Sequence, residues 1–361
     1  MTSIAFADQR PQGLFGTLNG WLQARRAVRE AEQERAATIA EAIEEVIAGT
    51  DPKLRALAHY DRSLGPVIAG ALDHIAALID RLPPPIELSR RAWQRDPHVN
   101  AFFASAADLP LFLSRSKELQ DFFQRHPGAS QAFAILTLKR KERQVFGISL
   151  QDEMVRRDVA QTSVGFYEPQ LLNPSATEEE VREEARHCAL NLYIGQAKKR
   201  LAKRQGQREG LDQERLIMET RLKGLRAQVR QGAEDPAVLQ EKITVTEARL
   251  AANGQERAAL GGFTNRLEAM LTEIHRILAD PQHELQLAPS SLRVDRLGIK
   301  QDGVQGTGTP ANDLSLLECT TATSQRVIAL VRCHRDELMT LDQIVAQVEP
   351  YLASQMGIRA A

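Results

Sequence analysis

Residues 190–229 read LNLYIGQAKKRLAKRQGQREGLDQERLIMETRLKGLRAQV, and residues 239–278 read LQEKITVTEARLAANGQERAALGGFTNRLEAMLTEIHRIL. Steps of four and three through the first stretch pick out Leu190, Ile194, Ala197, Leu201, Arg204, Arg208, Leu211, Arg215, Met218, Leu222, Leu225 and Val229. In the second they pick out Leu239, Ile243, Thr246, Leu250, Asn253, Arg257, Leu260, Thr264, Leu267, Leu271, Ile274 and Leu278. A repeat of about 3.5 residues held this long predicts two helical arms of ~60 Å each, at about 1.5 Å per residue. Folded back at Gly232-Ala233-Glu234-Asp235-Pro236, they form an antiparallel coiled-coil hairpin.

Pairing the arms about that turn sets Val229 opposite Leu239 and Leu190 opposite Leu278. The polar seam positions then fall together: Arg215 with Asn253, Arg257 with Leu211, Arg208 with Leu260, and Arg204 with Thr264. Gly206, Gly210, Gly254, Gly261 and Gly262 crowd the same zone. Charges at seam positions weaken a coiled coil, and each interior glycine costs up to about 1 kcal/mol relative to alanine. The middle of the hairpin is therefore expected to be its soft part. The plainer explanation is a solvated seam in which arginine stems cover apolar surface. The functional one is a hinge or partner-docking zone formed by Arg204, Arg208, Arg215, Asn253, Arg257 and Thr264.

Lys198, Lys199, Arg200 and Lys203 make a basic patch beside that zone, on a stretch that runs on to Arg208. The second arm carries Glu241, Glu247, Glu256, Glu268 and Glu273, so flanking ion pairs between the arms account for the patch most simply. A phosphate backbone is the alternative partner, although no aromatic residue interleaves the patch for base stacking.

The composition fits this architecture. With 46 Lys+Arg against 47 Asp+Glu, the chain is not a globally basic nucleic-acid binder. Aromatics are sparse at 5%, as in helices packed by aliphatic seams. Three cysteines, Cys188, Cys319 and Cys333, do not make a disulfide framework, which points to a reducing, cytoplasmic setting. No signal peptide is expected at the N-terminus. The apolar run from Pro66 to Leu82 contains Asp73, His74 and Asp80 and falls short of a membrane span.

Residues 12–126 read as a helical domain, with apolar faces at 39–47 and 67–79, a proline stop at 83–85 and a short helix at 114–123. Leu14, Phe15, Leu18, Trp21 and Leu22 give it an N-terminal apolar face, followed by Arg25, Arg26 and Arg29. Docking on the core or on a second subunit is the simpler use of that face, and contact with a membrane surface is disfavoured.

Residues 130–172 read as the first part of a β body. Strands are expected at 132–138, 144–150 and 159–167, with a turn at Lys139-Arg140-Lys141-Glu142. Thr177 and Glu180 form a capping box that starts the hairpin, 177–280. Residues 290–335 supply the second part of the body, with strands at 292–299, 314–320 and 326–333 and a glycine-rich loop from Gly303 to Pro310. A C-terminal helix is expected within 340–355. The fold class is α+β, mainly α: a helical N-terminal domain, a small and mainly antiparallel sheet body, and the hairpin inserted between its strands.

No sequence motif names a reaction. Walker, dinucleotide-binding and nucleophile-elbow patterns are absent. His187-Cys188, Cys333-His334, Cys319 and His283 lack metal-ligand spacing, so neither a metal nor a cofactor is expected. The expected function is that of a non-enzymatic interaction or scaffold protein, docking a protein partner or a second copy through the projecting hairpin. A nucleic-acid-associated protein using residues 198–208 is the alternative. An enzyme with its active site on the β body, near the Gly303–Pro310 loop, ranks last.

Overall fold

The computed structural model describes the backbone of residues 14–151, 154–232, 235–260, 266–295, 297–301, 311–340 and 343–346, with side chains throughout except at 14–24 and 148–157. The fold is α+β and mainly α, with one six-stranded sheet and a long pair of helices between its strands. The chain divides into two compact units. One comprises the residues up to Gly70 together with Ala197–Ala279, and the other comprises Ala71–Gln196 together with the residues from Asp280 on.

In the sheet unit, strands β1 (Ile86–Leu88), β2 (Gln131–Gln151), β3 (Met154–Ser175), β4 (Leu285–Val294), β5 (Asn312–Thr321) and β6 (Gln325–His334) form one sheet in the order β3-β2-β6-β5-β4. All neighbours on that path are antiparallel. Strand β1 runs parallel to β6, pairing Ile86 to Val331 and Leu88 to Cys333. Alternation along β2 aims Ala132, Ala134, Leu136 and Leu138 at one core. That core also receives Val99, Phe102, Leu109, Leu113, Leu119 and Phe122 from the short helices α4 (Pro97–Phe102), α5 (Asp108–Arg115) and α6 (Lys117–Arg125), and Trp93 of α3 (Arg90–Arg95) packs against it. Each such Leu or Phe contributes about 1.5–3 kcal/mol by leaving water. The intervening residues Ile135, Leu317 and Leu330 are buried as well, so the sheet is covered on both faces.

Lys139-Arg140-Lys141-Glu142 does not turn the chain, contrary to the sequence expectation. Strand β2 runs straight through it, with Lys139 paired to Tyr167 and Glu142 to Val164. The physical reason is the length of β6. Its pairing with β2 ends at Leu138, beyond which β2 and β3 continue paired to each other, with Lys141, Glu142, Arg143 and Gln144 exposed. Strand β4 also departs from expectation, spanning Leu285–Val294 rather than 292–299. Residues 298–300 instead meet the edge of β3: Val164 donates to the Gly298 carbonyl (2.8 Å), and Lys300 donates to the Thr162 carbonyl (2.8 Å). Gly298 sits at φ +76°, and a Cβ there would lie 2.8 Å from the Val164 carbonyl oxygen.

In the helical unit, α1 (Leu14–Gly49) leads to a 3-10 turn at Pro52–Ala56 that is capped by Asp51. Glu44 ties the two together, accepting from Arg55 Nε (3.0 Å) and Tyr60 Oη (2.7 Å). Tyr60 opens α2 (Tyr60–Ile79). By length and mean hydropathy alone this helix could cross a bilayer, although it carries Asp61, Arg62 and Asp73, and its Leu64, Ile68, Ala71 and Ile75 are buried in the protein.

Helix α7 (Glu178–Gln231) is continuous for 54 residues, about 80 Å at the usual rise. Its start is a full capping box: Glu180 donates its N–H to Thr177 Oγ1 (3.2 Å), and its carboxylate accepts from the Thr177 N–H (3.3 Å). The second arm is broken into α8 (Pro236–Ala259) and α9 (Arg266–Ala279), where one heptad run predicted a single helix. Helix α8 ends just before Gly261-Gly262, whose glycines are poor helix formers. Four residues at the tip, Leu222, Leu225, Leu239 and Ile243, make a compact seam. Thr264 and the Gly303–Pro310 loop lie outside the described residues, and of the expected C-terminal helix only residues 343–346 are described, as helix.

Candidate functional site on the helical hairpin

The seam of α7 and α8 sets a polar cluster between its apolar ends. Asn253, 4% exposed, donates its side-chain amide to the Leu211 carbonyl (3.0 Å) and to Glu214 Oε2 (3.3 Å). One turn on, Arg257 reaches Asp212 Oδ1 across the arms (3.0 Å). Arg226 does the same nearer the tip, meeting Glu247 Oε1 at 2.9 Å. These four bonds fix the arms as antiparallel. Arg215, expected opposite Asn253, instead lies along its own helix and donates to Glu219 (2.8 Å). The pair is partly exposed, at 42% for Arg215 and 38% for Glu219.

Part of the basic stretch is used inside the unit. Glu273 on α9 is 5% exposed and stands among three arginines. Arg276 donates to it at 2.7 Å, while Arg204 and Arg200 approach at 3.6 and 3.8 Å. A carboxylate removed from water needs such compensation. Lys198, Lys199 and Lys203 remain exposed. Lys198, Arg204, Arg208 and Arg266 line a cavity of about 270 Å³, with Leu201, Leu260 and Met270 as its apolar wall. Asp51 is the one carboxylate among its described lining residues.

The outer surface of the hairpin was not singled out by the sequence, because a search for one seam passes over the opposite side of each helix. Leu216 (65% exposed), Ile217 (68%), Val238 (44%) and Val245 (49%) lie off the seam and in solvent, and Val229, expected in the seam opposite Leu239, is itself 40% exposed. The signal was present as Val238 and Val245, one heptad apart on the side of α8 away from Leu239 and Ile243. The N-terminal face formed by Leu14, Phe15, Leu18, Trp21 and Leu22 falls within α1, and its side chains lie outside the described set.

The sheet unit holds a larger cavity of about 640 Å³, walled by Trp93, Phe102, Phe166 and Tyr167 and reached by Arg95 and Asp295. Beside it, Asp96 caps α4 and accepts from His98 Nδ1 (3.2 Å), while His98 Nε2 lies 3.1 Å from the Ser315 carbonyl. The hydrogen bond to Asp96 raises the pKa of His98 and lowers that of the carboxylate. This pair closes a helix start onto β5, which is a structural task. Burial pushes the Cys319 thiol up to about 11 and that of Cys333 to about 12, which keeps both protonated and unreactive near neutrality. Among the described residues, no group of three or more His, Cys, Asp or Glu stands close enough to hold a metal ion. Compared with family models, with curated proteins and with solved structures, the chain finds no match.

Proposed function

We propose that the protein is a cytoplasmic, non-enzymatic interaction protein whose working part is the hairpin, a coiled coil that docks a protein partner on its outer surface. The observation that carries this is that four large apolar side chains off the seam, Leu216, Ile217, Val238 and Val245, are left in water on the two arms. Grouped apolar exposure of this kind marks docking surfaces in otherwise polar helices. The three free cysteines support a reducing compartment. Photo-crosslinking side chains placed singly at Ile217 and Val245 of the full chain, in the native host, test the reading. Discrete protein adducts are expected at both sites and not at Asp313 on the sheet. Adducts at neither site, or equally at Asp313, overturn it.

A second reading, binding of a phosphate backbone, is supported by the cavity where Lys198, Arg204, Arg208 and Arg266 gather. Nucleic acid that copurifies at low salt and is shed at high salt is the expected sign. Protein free of nucleic acid under both conditions sinks this reading.

A further inference from the structure

We infer that the partner of the outer hairpin surface is a second copy of this chain, joined through antiparallel packing of α8 on α8. The inference rests on the docking reading above and names its partner. Helix α8 carries two apolar stripes. The first, through Leu239, Ile243 and Thr246, is buried against α7. The second lies on the opposite side, at about 100° per residue, and is centred on Ala248. Ala237 and Val238, Thr244 and Val245, Ala251 and Ala252, and Ala258 and Ala259 recur every heptad along it, and all are exposed.

The order of sizes selects the occupant. An antiparallel copy related by a two-fold axis at Ala248 sets Val238 against Ala259 of the second copy and Val245 against its Ala252. Thr244 then meets Ala251, and Ala237 meets Ala258. Every larger side chain faces an alanine, so the helices can approach at the short end of the usual ~8–10 Å range. On the contact line Glu241 faces the neutral Gln255, and on one flank Lys242 faces Glu256, a pair of opposite charges. A helix of another protein would have no reason to mirror this sequence.

The contact is small. Helix α8 has 24 residues, about 36 Å of axis, and a strip about 10 Å wide along it hides several hundred Å² from each copy. That is less than the ~800 Å² per partner of a standard interface, so dissociation in the micromolar range is expected.

Sedimentation of the full chain from nanomolar to hundreds of micromolar should show a monomer converting to a dimer. Ala248→Glu should hold it monomeric without lowering its helicity or melting temperature. In a Cys188→Ser background, Ala248→Cys should give a disulfide dimer under mild oxidation, because residue 248 meets itself at the axis, whereas Val238→Cys should give little. A monomer at every concentration, or equal cross-linking at both positions, overturns the inference. The docking reading fails separately: adducts at Val245 of twice the chain's mass support both proposals, adducts containing a different protein sink only the dimer, and the absence of any adduct sinks both.

Discussion

The side-chain amide of Asn253 on α8 donates to the main-chain carbonyl of Leu211 on α7, 3.0 Å away, while its own Oδ1 is buried and finds no hydrogen-bond partner among the described residues. The two ends of one amide therefore act in opposite directions. The donor end ties the arms in one register, and the acceptor end carries the cost of an unsatisfied buried polar atom, about 1–3 kcal/mol.

Asn253→Leu removes both effects. The Leu211 carbonyl keeps its place in the backbone ladder of α7, so little is lost there. Thermal unfolding of the variant should show a gain of about 1 kcal/mol. Register should become less well specified, as with polar seam residues generally. A lower melting temperature would show that the donor bond outweighs the orphaned oxygen.

Glu273 is the counter-charge of its unit. Glu273→Gln keeps the shape but leaves Arg200, Arg204 and Arg276 facing a neutral amide. The arginines are partly exposed, so the cost is moderated by water, at about 1–3 kcal/mol on chemical denaturation. The same change adds net positive charge beside the cavity lined by Lys198 and Arg208. If that cavity takes phosphate, the variant should elute from heparin at higher salt than the wild type. Unchanged elution would count against the phosphate reading.

The Asp96–His98 pair gives stability a pH window. His98 has its pKa raised by Asp96, so its contribution is complete below about 6.5 and is lost as pH rises through the raised value. Asp96 has its pKa lowered, so its contribution is present above about 3.9 and is lost as pH falls through the lowered value. The melting temperature of wild type minus that of His98→Gln should therefore be largest in mildly acid buffer and should shrink through the alkaline side of neutrality. A difference that is flat with pH would remove the charged pair from the account.

What could be read in the sequence was whatever depends on local periodicity. The capping box at Thr177 and Glu180 forms as its spacing required, and Leu222, Leu225, Leu239 and Ile243 meet where the heptads place them. Misreadings came where a non-local partner decides. Lys139 to Glu142 looks like a turn because polar residues interrupt an apolar run, yet the run ends only because β6 does. Strand β1 is three residues long and exists through its pairing with β6, more than two hundred residues away. Of the candidate site, the seam polar residues were visible as exceptions to a pattern. The outer stripe of α8 was not, because alanines on a helix surface resemble ordinary helix-forming residues until the other face is known to be occupied.

Gly298 joins the ends of the sheet, and its replacement provides the sharpest stability test. Its φ of +76° is open to glycine and strained for other L-residues, and a Cβ would sit 2.8 Å from the Val164 carbonyl oxygen, a backbone atom that cannot swing aside. The Gly298 carbonyl in turn accepts the Val164 N–H at 2.8 Å, so relief of the clash would break the bond that holds residues 298–300 to β3. Gly298→Ala should cost about 2–3 kcal/mol, combining backbone strain with the displaced hydrogen bond. Hydrogen exchange should localise the loss, with faster exchange at Val164 and Lys300 and unchanged protection at Leu222 and Ile243 in the hairpin seam. Equal loss in both places would mean that the corner at Gly298 supports the whole chain rather than the sheet alone.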